Sequence, residues 1–283
     1  ERAIELGAYG YLVKPIEPNA LLINIASALR RRELELQHHQ LQEETVDLMA
    51  RRTAGFIATI DEQRAQTAQL RLAHEESVFV LGALCDGHSA PKSAHPYRVG
   101  RYAAVLARLV GIAGSELERL RLAAAFHDVG MSAVPGLDVR HDRALTAAER
   151  ELLREHTRAG YRALASHDSD LLKLAAVVAL THHERWDGTG YPDGLAANQI
   201  PMAGRVVAVA DALDSLTVDR LDRPGITFDE AIAHVTAQSG TAFDPRVVQA
   251  VTAAASELRR IHRKYADDSA VPTPPPPPPV DGS

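Results

Sequence analysis

Two adjacent histidines, His182 and His183, end the apolar run from Leu171 to Leu180, and Asp187-Gly188 and Gly190-Tyr191-Pro192 follow at once. Paired imidazoles at the end of a buried helix, beneath a glycine-rich turn, point to a metal site with a shaped lid. The glycines reach turn conformations that other residues avoid, and the proline stiffens the exit. Side chains of the same kind interrupt apolar stretches elsewhere. His95 opens a helix, His127-Asp128 closes the run from Leu120 to Phe126, His156 lies inside the helix after Thr146, and Asp211 breaks the run from Val206 to Ala210. Aspartate in such a run is costly unless it is paired, hydrogen-bonded or bound to metal. Taken singly, each has a plainer reading: His95 or His156 as a cap or surface residue, Asp211 as an N-cap. Five helices each presenting a ligand-type side chain at an apolar boundary make the metal reading the stronger one.

The elements that must position these residues read as helices. Ser115–Glu118, Thr146–Glu149 and Thr227–Glu230 have the capping-box form before apolar runs. Further helices are expected at residues 96–110, 170–183, 199–217 and 245–262, and no strand alternation appears between 81 and 263. Aromatics make up only 5% of the chain, so the core must be built from Ala, Leu and Val, which fits an all-α fold. Upstream, Glu1 to Leu6 reads as a helix end, Tyr9 to Val13 as a short strand, and Asn19 to Arg31 as an amphipathic helix capped by Asn19. One strand cannot form a sheet alone, so its partners are expected outside these residues. From 31 to about 80 the chain is rich in Gln, Glu, Arg and Ala, with Gly55 the only strong breaker. Leu34, Leu41 and Leu48 are seven residues apart, but Thr45 and Arg52 are polar. A solvated connector helix and a dimerising signalling helix therefore fit equally. The run from Pro274 to Pro279 marks a polyproline tail without a core of its own.

Composition sets the outer bounds. With 46% hydrophobic and 24% charged residues the chain falls among globular proteins, and its net charge of −6 argues against binding a nucleic-acid duplex. A single cysteine, Cys85, excludes an intrachain disulfide and fits a reducing cytoplasm. Neither a signal-peptide pattern nor an apolar stretch long enough to span a bilayer is present, so no membrane role is expected.

The motifs also resemble a known family. His127-Asp128 matches the doublet that names the HD superfamily of metal-dependent phosphohydrolases. The stretch from His182 to Pro192, reading HHERWDGTGYP, is similar to the signature of the HD-GYP branch, and Ala210 to Thr217 matches its later segment. The stretch Gly7-Ala-Tyr-Gly-Tyr-Leu-Val-Lys14-Pro15-Ile16 resembles the last strand of a response-regulator receiver domain, in which the proline follows a cis bond. The resemblance implies an all-α HD-type metallohydrolase domain at residues 81–263, with a connector helix at 33–80 and a small αβα receiver remnant at 1–32. A Pro-rich tail occupies 264–283.

Carried over by position, the implied metal ligands are His95, His127, Asp128, His156, His182, His183 and Asp211, with Asp128 bridging two divalent ions, iron or manganese. His127 and Asp128 are the implied catalytic pair, and Arg185, Asp187, Gly188, Gly190, Tyr191, Pro192 and Arg220 the implied substrate contacts. Trp186 reads as packing. The implied reaction is in-line hydrolysis of cyclic di-GMP to linear pGpG, and to GMP if it is cut again. The implied partners are a sensor kinase acting through the receiver, diguanylate-cyclase (GGDEF) domain proteins, and a second copy through the connector helix.

Departures count too. Met131 stands where the family commonly has lysine, Pro91 where some members have a third-metal glutamate, and Leu221-Asp222 where a Pro-Tyr is frequent. These favour two metals over three. They also leave open a catalytically weak receptor, or a hydrolase of another cyclic dinucleotide.

Overall fold

The computed structural model describes residue 2 and residues 7–85, 94–134, 146–218 and 224–265. Expectations resting on Pro91, Arg220, Leu221, Asp222 and the polyproline run fall outside these residues. Among the described residues eight α-helices are delimited: α1 (Pro18–Cys85), α2 (His95–Leu109), α3 (Gly114–Ala123), α4 (Ala147–Leu164), α5 (Asp170–Thr181), α6 (Met202–Ser215), α7 (Phe228–Ala237) and α8 (Pro245–Lys264). The described residues contain no strand, only two isolated bridges. Among the described residues no helix is long and apolar enough to cross a membrane.

The chain divides into two compact units, residues 1–71 and 72–283. In the first, the expected strand from Tyr9 to Val13 is absent: this stretch is irregular, because a single extended segment has no partner for its backbone groups. Lys14–Pro15 is a cis peptide bond, the geometry that the receiver resemblance implies. Asn19 is not a cap, since α1 already begins at Pro18. The helix also continues through Arg32 and Gly55 without a break. A glycine inside a helix costs only about 1 kcal/mol, which the surrounding Ala, Leu, Glu and Gln offset. Exposed arginine–carboxylate pairs such as Arg30–Glu33 and Arg51–Asp47 line this part of α1.

The second unit carries the core. Phe79, at the C-terminal end of α1, is fully buried and stacks on Tyr97 with ring centroids 4.3 Å apart. Helix α2 packs against α3, α6 and α8, while α5 lies against α3, α4 and α6. The contacts are made by small and branched residues, including Val99, Ala103, Leu106, Ala176, Val178, Val206, Val209 and Leu213, all at most 1% exposed. Each fully buried leucine or valine contributes roughly 1.5–3 kcal/mol. Capping boxes form at Thr146 and Thr227, where each threonine accepts from the backbone N–H three residues on and the glutamate reaches back. The box expected at Ser115 does not form. Helix α3 starts one residue earlier, with Ala113 as N-cap, so Ser115 falls inside the first turn.

Candidate metal centre

Helix ends and interruptions bring the seven candidate ligands together. His95 is the first residue of α2; His127 and Asp128 form the link between two short 3-10 turns, Ala124–Phe126 and Val129–Ala133. His156 lies within α4, and His182 caps α5 with His183 beside it. Asp211 is inside α6 rather than at its N-cap, and His95 and His156 are 7% and 2% exposed, so the plainer readings of all three fail.

Two groups result, Asp128–His156–His182–His183 and His95–His127–Asp211, and within each the potential ligand atoms lie within 4.8 Å of one another. Asp128 joins them. Its Oδ1 is 3.2 Å from His156 Nε2 and 3.4 Å from His182 Nε2, while its Oδ2 is 3.6 Å from His127 Nε2. On the other side, Asp211 Oδ1 is 3.7 Å from His95 Nε2 and 3.8 Å from His127 Nε2. One carboxylate thus offers an oxygen to each group.

In three of the rings the second nitrogen explains why the Nε2 atom faces inward. His127 Nδ1 donates to the Ala124 carbonyl (2.9 Å) and His156 Nδ1 to Leu153 (2.6 Å). His182 Nδ1 is shared between Val178 and Ala179, at 3.1 Å each. A carbonyl only accepts, so the proton sits on Nδ1 and the Nε2 lone pair faces inward. The Nε2 atoms of His156 and His182 are buried and make no hydrogen bond. Buried acceptors left in this state, around a shared carboxylate, fit a divalent cation. The donor set of imidazoles and carboxylates suits such an ion.

The electrostatics agree with this arrangement. Burial works to raise the Asp128 pKa, but His127, His156 and His182 hold the carboxyl well below its usual range. Burial, then the neighbouring His182, pushes His183 well below the ordinary histidine value, and burial also lowers His182. His156 goes the other way: burial opposes its charge, but the Asp128 carboxylate outweighs this and raises it.

The lid is braced from within. Glu184, 4% exposed, accepts from the backbone N–H groups of Asp193 (2.8 Å) and Leu195 (3.0 Å). A Cβ at Gly190 would lie 2.3 Å from the Arg185 nitrogen and 2.6 Å from the His183 oxygen, so only glycine fits there. Asp187 accepts from the Thr189 N–H (3.0 Å) and hydroxyl (2.6 Å), and these bonds lower its pKa to about 2. Arg185 donates to Thr189 and Asp187. Both charged residues expected at the substrate thus hold the loop's own shape. Gly188 has φ +78° and Pro192 offers its carbonyl to Arg158. Trp186 donates its backbone N–H to the Ala242 carbonyl and has Arg205 over its ring, consistent with packing. Tyr191 is the loop residue at the centre: its ring stacks on His183 at 4.8 Å, with the Arg154 guanidinium 5.0 Å from its own centroid.

Three residues here escaped the sequence reading: Glu184, Arg98 and Asp214. Asp214 and Arg98 are almost fully buried, and the Asp214 carboxylate contacts His95 Nδ1 at 2.7 Å. The available signal was spacing, since Asp214 follows Asp211 by three residues and shares its helix face.

Residues 65–247 match the HD domain family. The chain is 32% identical over 272 residues to the cyclic di-GMP phosphodiesterase response regulator RpfG of Xanthomonas campestris, covering 96% of this chain and 68% of that protein. It is 29% identical over 268 residues to a cyclic di-GMP phosphodiesterase of Thermotoga maritima, covering 95% and 71%. It is also 34% identical over 180 residues to the 3'3'-cGAMP-specific phosphodiesterase 2 of Vibrio cholerae, covering 64% of this chain and 34% of that one. With the doublet, the paired histidines and the later aspartate gathered at one centre, the chain belongs to the HD-domain family.

Proposed function

We propose that this protein is a metal-dependent phosphodiesterase of the HD-GYP branch that hydrolyses cyclic di-GMP to linear pGpG, and to GMP on a second cut. The observation that carries this reading is the Asp128 carboxylate, which presents one oxygen to each of two imidazole groups. Two similar proteins named cyclic di-GMP phosphodiesterases, each matched over more than nine tenths of this chain, support the substrate. Divalent ions bound there, iron or manganese on the donor set, supply phosphoryl-oxygen polarisation and water activation. His95, His127 and Asp211 would hold one ion and His156, His182 and His183 the other, with Asp128 placed to serve both. Tyr191, stacked on His183, forms a wall against which a guanine-bearing ligand can rest. The output domain is driven by a receiver segment at residues 1–32 through α1, consistent with the response-regulator relative. A sensor kinase, GGDEF-domain partners and a second copy along α1 complete the proposal. Incubating purified protein with cyclic di-GMP and resolving the nucleotide products tests the reaction; intact substrate at full metal loading would contradict it.

A second reading, a receptor with weak turnover, is favoured by Met131. The family's lysine position is here an apolar side chain only 8% exposed, which removes a cation from the phosphate environment. Met131→Lys is expected to raise turnover or lower KM, at a cost of about 1–3 kcal/mol in stability from charging a buried site. Unchanged kinetics in a folded variant would remove the missing cation as an explanation.

The ligand histidines must be neutral to bind metal, so acid should strip the centre. The Asp128 carboxylate raises His156, so it takes up a proton more readily as pH falls than His182 and His183, which burial lowers. Metal content and activity should therefore fall together between neutral pH and about pH 5. Full metal content after dialysis at about pH 5 would contradict the ligand assignment.

A further inference from the structure

His95 differs from the other buried ligand histidines in what holds its ring. His127, His156 and His182 each direct Nδ1 at a carbonyl three or four residues earlier. His95 is the first residue of α2. Its Nδ1 faces the Asp214 carboxylate of α6 instead, at 2.7 Å from Oδ2. The Asp214 side chain is 0% exposed, and Arg98 fixes it: Nε donates to Oδ1 (2.5 Å) and Nη2 to Oδ2 (3.0 Å). Arg98 is itself 1% exposed, and its Nη1 donates to the Tyr265 carbonyl at the end of α8 (2.8 Å).

We propose that Asp214, oriented by Arg98, is a positioning residue that keeps His95 in its Nδ1–H tautomer and so makes the His95–His127–Asp211 group competent to bind a cation. This rests on reading that group as a metal site. The carboxylate accepts the Nδ1 proton, the Nε2 lone pair is left facing His127 and Asp211, and the ring becomes a stronger donor than one bonded to a neutral carbonyl. Along α6, Asp211 reaches the centre directly while Asp214, one turn on, reaches it through His95.

Asparagine and alanine at this position separate tautomer control from packing. In Asp214→Asn, the closer Arg98 Nε contact retains the amide oxygen, and the amide NH2 turns toward His95 Nδ1. His95 must then accept at Nδ1, carry its proton on Nε2, and lose its ligand lone pair. Asp214→Ala deletes more but imposes no tautomer. The measurements are long-range 15N–1H spectra of the histidine rings in metal-free protein at about pH 8, above the ordinary histidine range, and stepwise Mn2+ binding by calorimetry.

Wild type is expected to show His95 as the Nδ1–H tautomer. Asp214→Asn is expected to show Nε2–H and to lose on the order of 10–100-fold in affinity for one of two Mn2+ ions, with the other unchanged. Asp214→Ala should lose less. A packing role alone predicts the reverse order, with alanine worse than asparagine and the tautomer unmoved, and that result would overturn the proposal. Should the uncompensated Arg98 charge unfold Asp214→Asn, the wild-type spectrum decides: His95 found as Nε2–H would overturn it. Failure of both groups to take up Mn2+ while wild-type His95 is Nδ1–H would sink the metal reading but leave the tautomer assignment intact.

Discussion

Asp128→Ala is expected to abolish metal binding and turnover together, taking the metal content from about two ions per chain to below one. The argument is geometric. Asp128 Oδ1 stands 3.2 and 3.4 Å from His156 and His182, and Oδ2 stands 3.6 Å from His127, so one deletion empties the shared position of both groups. It also removes the one carboxylate on the His156 side, leaving an all-imidazole set there among the described residues. Metal analysis and product chromatography on the same preparation check the result. Thermal melts add an independent readout: metal at about 100 times its Kd stabilises by about 2.7 kcal/mol, and this increment should vanish in the variant. A variant that keeps its metal and hydrolyses substrate at the wild-type rate would refute the bridging role.

Gly130→Ala is expected to have the second largest effect, although glycine carries no functional group. A Cβ there would lie 2.0 Å from the His156 carbonyl oxygen and 2.4 Å from the Gly160 nitrogen, both of them backbone atoms that cannot rotate away. Gly130 is two residues beyond Asp128, and the obstacle belongs to His156 itself. The methyl group therefore wedges the Asp128 turn away from α4, along the line that closes the His156 side of the centre. Overpacking of this kind costs about 1–3 kcal/mol, and steric contact with backbone places this case at the upper end. Urea denaturation should show a lowered midpoint, and metal affinity should fall even under conditions where the variant is folded. An unchanged midpoint with full metal content would show that the two segments can separate without consequence.

The clustering of the candidate ligands was legible in the sequence because burial makes polar residues conspicuous. His127-Asp128, His182-His183 and Asp211 each break an apolar run, and a polar side chain in such a place needs a reason. What holds the ligands was not legible. That Asp214 pairs with His95, and Arg98 with Asp214, depends on α2 and α6 lying side by side, a contact between residues more than a hundred positions apart. The role of Gly130 is equally invisible until α4 is packed against it. Glu184 lay within the HHERWDGTGYP stretch, yet its carboxylate turns inward to the loop backbone. Two failures have local causes. The stretch Tyr9–Val13 has strand-like composition but no neighbouring strand among the described residues. Ser115 has the capping pattern but falls inside α3, because Gly114 already begins the helix. Arg185 and Asp187, which the resemblance implies as substrate contacts, are hydrogen-bonded to Thr189 and to each other, a bracing that the sequence pattern does not announce.

The most direct test of the central claim is turnover of cyclic di-GMP by the purified chain as a function of bound metal. Protein stripped by a chelator should leave the substrate intact. Reloading with Mn2+ or Fe2+ should restore hydrolysis in proportion to occupancy, yielding pGpG first and GMP only afterwards. Tight cyclic di-GMP binding with no product at full occupancy of both ions would contradict the enzyme and establish the receptor.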